Sequence, residues 1–284
     1  MLEWKVSSAD AGTKLLPFLK KRIGRPLRSL RWAVEHNRCV VNGKVERYCS
    51  ITLKEKDIVL FNESDEDKMG EVIFEDEHIL LYNKRSEIAV ESLHRTLEKN
   101  ADHPVYLVHR LDKDTSGIIL FAKTSVAGTK CENLFRSKSI KKSYLTIVHG
   151  LVENEKGTIK NSVTEVRRKE GEVFFGVSET KKERVALTHF STIRSNQKYS
   201  YLRLRPVTGI THQLRVQLAD MGYPVVGDRR YGSRSIENSL GCTRTLLHAE
   251  TLSFFHPITQ KPVKAFAPLP SDFARALKSF KLLS

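Results

Sequence analysis

No apolar run in this 284-residue chain approaches the ~18 residues that a membrane-spanning helix requires. The opening Met1-Leu2-Glu3-Trp4-Lys5 has neither a basic leader region nor an apolar stretch behind it, so no secretory signal is visible. Cysteine is scarce: Cys39, Cys49, Cys131 and Cys242 are far apart and form no Cys-x-x-Cys pair. That spacing argues against a zinc knuckle and for free thiols in a reducing cytoplasm. The chain also lacks a Walker loop, a Gly-x-Gly-x-x-Gly turn and a His-Glu-x-x-His helix, which removes the usual nucleotide, dinucleotide and zinc-protease readings. The expectation is a cytoplasmic protein with no cofactor and no metal.

What the chain has in excess is positive charge. Lys and Arg number 48 against 33 Asp and Glu, a formal balance of +15. An imbalance of that size favours a polyanionic partner, most often nucleic acid or an anionic membrane surface, over charge kept for solubility alone. Hydrophobic residues make up 40%, enough to bury a core, and the length suits one large domain plus a small one.

The small one is expected over residues 1–62. Leu15, Leu16, Phe18 and Leu19 share one face of a short helix that ends in Lys20-Lys21-Arg22 and is broken by Gly24-Arg25-Pro26. Leu27, Leu30, Ala33 and Val34 then recur at helical spacing, with Arg28 and Arg31 on other faces. Arg38 to Val45 reads as strand, Asn42-Gly43 turn and strand. Between Lys14 and Arg47 there are ten basic residues against Glu35 and Glu46. Lys20, Lys21, Arg22, Arg25, Arg28, Arg31 and Lys44 are the candidate phosphate contacts, the alternative being a solvated helical face. Residues 63–77, with eight acidic side chains and one Lys, read as an acidic linker.

Residues 78–284 open on the strand Ile79–Lys84. Further strand-like runs (Ile118–Ala122, Val173–Val177, Ala186–Ile193, Tyr201–Arg205) outnumber helical segments, which fall near Val126–Arg136 and Thr211–Ala219. Few βαβ alternations appear, so the expected class is α+β, a large and mostly antiparallel sheet preceded by a small α/β module.

Chemistry concentrates at His109-Arg110-Leu111-Asp112-Lys113-Asp114-Thr115-Ser116-Gly117, a polar turn between two apolar strands. Asp112, beside cations, is the leading nucleophile or base. Asp114 reads better as a cap on its own turn. Tyr144, in Lys142-Ser143-Tyr144, is either an amphipathic core residue or a group that stacks on a base and carries a proton. In Thr208-Gly209-Ile210-Thr211-His212-Gln213-Leu214-Arg215, Thr211 is expected to cap a helix. Arg215 projects from that helix and needs an anion, for which Asp112 is the candidate. His212 is as readily structural as catalytic.

Taken together, these segments closely resemble the motifs of the RluA-type pseudouridine synthases. Gly222-Tyr223-Pro224-Val225-Val226-Gly227-Asp228 with Tyr231-Gly232, Leu247-His248-Ala249 and His256-Pro257 extend the resemblance. Helix, basic helix and Val40-Val41-Asn42-Gly43-Lys44 resemble the αL RNA-binding module of ribosomal small-subunit protein four. The resemblance implies isomerisation of uridine to pseudouridine in RNA, with Asp112, Tyr144 and Arg215 catalytic and Arg110 filling the site that a flipped base leaves. It implies ribosomal RNA of the large subunit as partner before transfer RNA, no membrane, and a monomer. A ribosyl-bond hydrolase and a non-catalytic RNA-binding factor are the competing classes. Ile210 stands where the family usually has a basic residue, Gln217 where it often has His, and Lys84-Arg85 where it often has Lys-Pro.

Overall fold

The computed structural model describes residues 1–24, 27–35, 37–62, 69–169, 172–178, 185–232 and 244–283. Arg25, Cys242 and the side chain of Arg28 lie outside the described residues. The chain divides into two compact units, Met1–Val72 and Ile73–Ser284.

In the first unit, β1 (Leu2–Lys5), β2 (Cys39–Val41), β3 (Lys44–Glu46) and β4 (Ile58–Phe61) form an antiparallel sheet in the order β1-β4-β2-β3. Asn42 and Gly43 turn between β2 and β3 with φ of 50° and 78°, the left-handed pair that a two-residue hairpin demands. Helix α1 (Leu15–Ile23) buries Leu15, Leu16, Phe18 and Leu19, as its spacing predicts. Lys20, Lys21 and Arg22 complement its C-terminal dipole, and Gly24 closes it at φ 78° with its N–H donating to the Lys20 carbonyl. Helix α2 (Leu27–Glu35) buries Leu30, Ala33 and Val34 against the same core but leaves Leu27, its first residue, half exposed.

The second unit is built on an eleven-stranded sheet. Its strands are β5 (Gly70–Glu75), β6 (Ile79–Lys84), β7 (Tyr106–Leu107), β8 (Ser116–Ala122), β9 (Lys141–His149), β10 (Lys156–Lys169), β11 (Glu172–Val177), β12 (Val185–Ser195), β13 (Tyr199–Pro206), β14 (Leu247–Phe255) and β15 (Pro262–Phe266). The main path runs β11-β10-β12-β13-β9-β14-β8-β6-β5, with β15 on β14 and β7 on β8. Only β8 and β14 pair in parallel among the described registers, so the sheet is mixed and mostly antiparallel. The stretch read as an acidic linker through residue 77 is in part the edge strand β5. Its Val-Ile-Phe run outweighs the flanking charge.

Helices α3 (Val90–Asn100), α4 (Ser125–Arg136), α5 (Gln213–Asp220) and α6 (Ser271–Ser279) complete the unit. All seven residues of β8 are buried, which is why the sequence after Ser116 is continuously apolar rather than alternating. Helix α4, capped by Thr124 Oγ1 accepting the Ala127 N–H, lays Ala127 and Cys131 on Ile118 and Leu120. Burial pushes the Cys131 thiol up to about 12, and that of Cys39 in the first unit likewise, so neither is a reactive thiolate. Gly117 has φ 111°, and a Cβ there would collide with the Ala249 backbone, so the β8–β14 junction admits only glycine.

Candidate active site

The turn from Val108 to Thr115 leaves the sheet between β7 and β8, and four contacts fix it. His109 Nε2 accepts the Leu120 N–H at 2.8 Å while its ring packs on Phe135 at 4.4 Å. Burial, with Lys142 adding repulsion, pushes this imidazole down to about 3, so it stays a neutral acceptor. The Thr115 N–H donates to the Asp112 carbonyl, closing the turn. Ser116 Oγ meets His248 Nδ1 at 3.0 Å across the parallel junction. Fully buried Lys84 sends its three N–H groups to the carbonyls of Arg85, Ile88 and Lys113, the last adjoining Asp112. Burial pushes the Lys84 amine down to about 7, against the pull of Asp114 and Asp112.

Asp112 emerges from this frame into a cavity of ≈ 780 Å³ that Tyr144, His212, Arg215 and Arg110 also line. The volume falls within the range of ligand pockets. The candidate trio thus comes from three distant segments: the turn before β8, strand β9 and helix α5. Helix α5 packs on β10 and β11. Its Arg215, 5% exposed, donates from Nη1 to Asp112 Oδ2 at 3.2 Å.

Arg215 does not serve Asp112 alone. Its Nε and Nη2 form a two-pronged bond to buried Asp228, at 2.7 and 2.8 Å. Burial works against the guanidinium charge, but Asp228 and Asp112 outweigh it and hold the pKa above the ordinary arginine value. Asp228 likewise loses to burial and gains more from Arg215, so it stays ionised, below the usual carboxylate range. One cation between two carboxylates leaves the group with net negative charge beside the cavity. Asp228 was legible only as part of a family match. The signal available was a Gly-Asp after an apolar run, which does not say where a carboxylate points. A carbonyl contact explains the glycine: a Cβ on Gly227 would strike Arg244.

Tyr144 is held by the pairing of β9 with β13 and β14. Burial, and then the Asp112 charge, raises its phenol well above the ordinary value, keeping it protonated. Arg110 is 74% exposed at the cavity mouth, with Nη2 2.8 Å from Glu91. Lys142 Nζ donates to the Thr208 carbonyl at 3.3 Å.

Two expected caps are not formed. Asp114 accepts none of the described hydrogen bonds; its charge faces the Lys84 ammonium instead. Helix α5 begins after His212, not at Thr211, and Gln213 Oε1 accepts the Ile210 N–H and the Thr208 hydroxyl in place of a Thr211 cap. Two of the three departures from the family pattern have local reasons here. Ile210 packs on the small core of Val163, Ala186 and Val216. Gln217 is fully buried, accepting from Thr188 and donating to Asn161 and to two carbonyls of β10 and β12.

In the first unit, Lys20, Lys21, Arg22, Arg31 and Lys44 are exposed. Lys21 and Arg22 are also committed to Asp10, at 2.7 and 2.6 Å. Among the described residues no group of three His, Cys, Asp or Glu side chains could hold a metal ion, and no helix is long and apolar enough to cross a membrane.

Residues 78–220 match the family model described as RNA pseudouridylate synthase. An uncharacterized RNA pseudouridine synthase of Mycoplasma genitalium is 34% identical over 222 residues, 75% of this chain and 70% of that one. The ribosomal large subunit pseudouridine synthase C of Pasteurella multocida is 35% identical over 225 residues, covering 74% and 68%. The ribosomal large subunit pseudouridine synthase D of Xylella fastidiosa is 32% identical over 235 residues, covering 74% and 69%. Among solved structures, human RNA Pseudouridylate Synthase Domain Containing 1 superposes with a TM-score of 0.64 at 24% identity, over 74% of this chain and 87% of that one, which speaks to the fold. A family match across half of the chain, and relatives this similar over more than two thirds of their own length, make the chain a member of the RNA pseudouridylate synthase family.

Proposed function

We propose that this enzyme converts uridine to pseudouridine in large-subunit ribosomal RNA, with Asp112 as its essential carboxylate. The names of the relatives from Pasteurella and Xylella support the substrate. The reaction breaks the bond between ribose C1′ and uracil N1, turns the base and joins C5 to C1′. The proton leaving C5 is balanced by one gained at N1, so nothing is oxidised and no group is imported.

The observation that carries the reading is the Arg215 contact. A carboxylate opening into a cavity must be aimed to act on ribose or base. The guanidinium on Oδ2 does this, and Asp228 in turn holds that guanidinium from behind. A two-pronged Arg–Asp bond cannot swing without breaking, so the direction of Asp112 is inherited from helix α5. Tyr144, protonated and half-buried beside the same cavity, stacks on uracil and assists proton removal from C5. A paired uridine must leave its stack at a cost of a few kcal/mol. Arg110, exposed at the mouth, fills the place it vacates. The first unit acts as an αL-type RNA-binding module in which Lys20, Lys21, Arg22, Arg25, Arg28, Arg31 and Lys44 meet phosphates.

The test is Asp112→Asn, assayed by release of tritium from C5-labelled RNA and by RNA binding. Turnover disappears while affinity stays within a few-fold; full activity in that variant would refute the assignment. Free uracil among the products would instead mark a hydrolase. Mapping pseudouridines in large-subunit ribosomal and transfer RNA, with and without the protein, separates the two substrates.

A further inference from the structure

His212 lines the cavity with its backbone in the left-handed region, as does Lys138, and its ring faces Asp112. It precedes α5 at φ 56° and ψ 16°, the left-handed region, and its side chain forms no capping bond to the helix it begins. A residue other than Gly or Asn pays roughly 1 kcal/mol there, and such strain persists where the surroundings hold it in place. The surroundings here are specific. The ring lies edge-on between Phe175 at 5.6 Å and Tyr231 at 5.5 Å.

The hydrogen bonds around the ring favour one tautomer. Tyr231 Oη accepts the backbone N–H of Phe175 at 3.3 Å. That leaves its own proton to turn to His212 Nδ1, 2.6 Å away, which accepts in this arrangement. The imidazole is neutral, since burial lowers its pKa and Arg215 and Arg230 add to that against the pull of Asp112 and Asp228. Nε2 then carries the hydrogen, and it faces Asp112 Oδ1 at 3.9 Å. Shortened by about 1 Å, this contact would be a hydrogen bond. Arg215 occupies the other oxygen, Oδ2.

We propose that His212 is a positioning residue for Asp112: its Nε2–H orients Oδ1 while Arg215 orients Oδ2, and the Tyr231 hydroxyl, itself set by the Phe175 N–H of strand β11, fixes the tautomer that makes this possible. Hairpin β10–β11 is thereby joined to the carboxylate through three groups in series. The inference rests on the reading of Asp112 as the essential group and extends it to a chain of supporting residues.

Two substitutions discriminate positioning from backbone structure, because they rank in opposite orders. Asn tolerates the left-handed conformation best but is too short to reach Asp112. Gln fits that backbone less well, yet its amide nitrogen reaches the Nε2 position. In the full-length enzyme under single turnover, His212→Asn lowers the rate of the chemical step by about tenfold or more, with RNA affinity within about threefold of wild type. His212→Gln recovers a large part of that rate. Tyr231→Phe gives a smaller loss, and the Tyr231→Phe/His212→Asn pair is no slower than His212→Asn alone, because both act through one contact. A rate for His212→Gln at or below that of His212→Asn, a wild-type rate for His212→Asn, or losses that multiply in the pair would each overturn the proposal. Asp112→Asn run alongside keeps the two readings apart. If it turns over, the assignment of Asp112 falls; if it is inactive while His212→Asn is unimpaired, only the role of His212 falls.

Discussion

Asp10 shows how one carboxylate organises a basic surface. It is 4% exposed, accepts from Ser7, Lys21 and Arg22, and is pulled down to about 2, chiefly by the Lys21 bond and then by Ser7. Two of the seven candidate phosphate contacts are thus pre-aimed by an internal anion instead of moving freely. The unfolded value is about 3.9. A carboxyl depressed on folding stabilises the native state above its unfolded pKa, and that contribution is lost as pH falls through the folded value. Asp10→Asn therefore lowers the thermal midpoint at pH 7, and the gap from wild type closes as the pH approaches 2. Calorimetry across that range checks it; a gap independent of pH would mean the ion pairs contribute nothing.

At the scale of elements, the turn that carries Asp112 depends on groups remote from it in the chain. Lys84, at the end of β6, holds the Lys113 carbonyl together with two carbonyls just downstream of its own strand. Replacing it by Met fills the space and removes a buried amine, but leaves three carbonyls without donors. Each buried unsatisfied group costs about 1–3 kcal/mol, so Lys84→Met loses on the order of 3 kcal/mol of stability after the relief of the buried amine. The loss appears as a lower denaturation midpoint in urea with an unchanged slope. The family's frequent Lys-Pro is Lys84-Arg85 here, and the Arg85 carbonyl still accepts from Lys84. Strands were legible because β6 and β8 carry apolar runs and β12 and β13 interleave apolar with polar residues, as burial on both faces or on one requires. The start of α5 was not, because a hydroxyl at Thr211 looks like a cap in sequence, while the side chain of Gln213 takes that work in space.

For the whole molecule, the candidate phosphate contacts and the cavity belong to different units, although most of the formal charge excess lies in the second. The first unit has its own core, from Val6 to Phe61, and carries exposed Lys20, Arg31 and Lys44. The second contains the cavity. Phosphate contacts weaken with salt in proportion to their number, with a slope of about 0.7 to 0.9 per contact. Replacing Lys20, Arg31 and Lys44 together by Ala should flatten the plot of log affinity against log salt by about 2 to 3 while the single-turnover rate at saturating enzyme stays near wild type. An unchanged salt slope would remove the first unit from the RNA-binding surface.

The chain by itself determined its class and its chemistry. A mostly antiparallel α+β sheet, the charge excess and the Asp112, Tyr144 and Arg215 segments are all local patterns. Alternation, apolar runs and short motifs record what each stretch must do with its own backbone and neighbours. What only the tertiary structure decided is which groups share a partner. Asp228 behind Arg215, Lys84 under the turn, and Tyr231 setting the His212 tautomer join residues 13, 29 and 19 positions apart in the chain. A linear pattern carries no record of where a side chain ends in space, and hydrogen-bond satisfaction in a buried site is settled there.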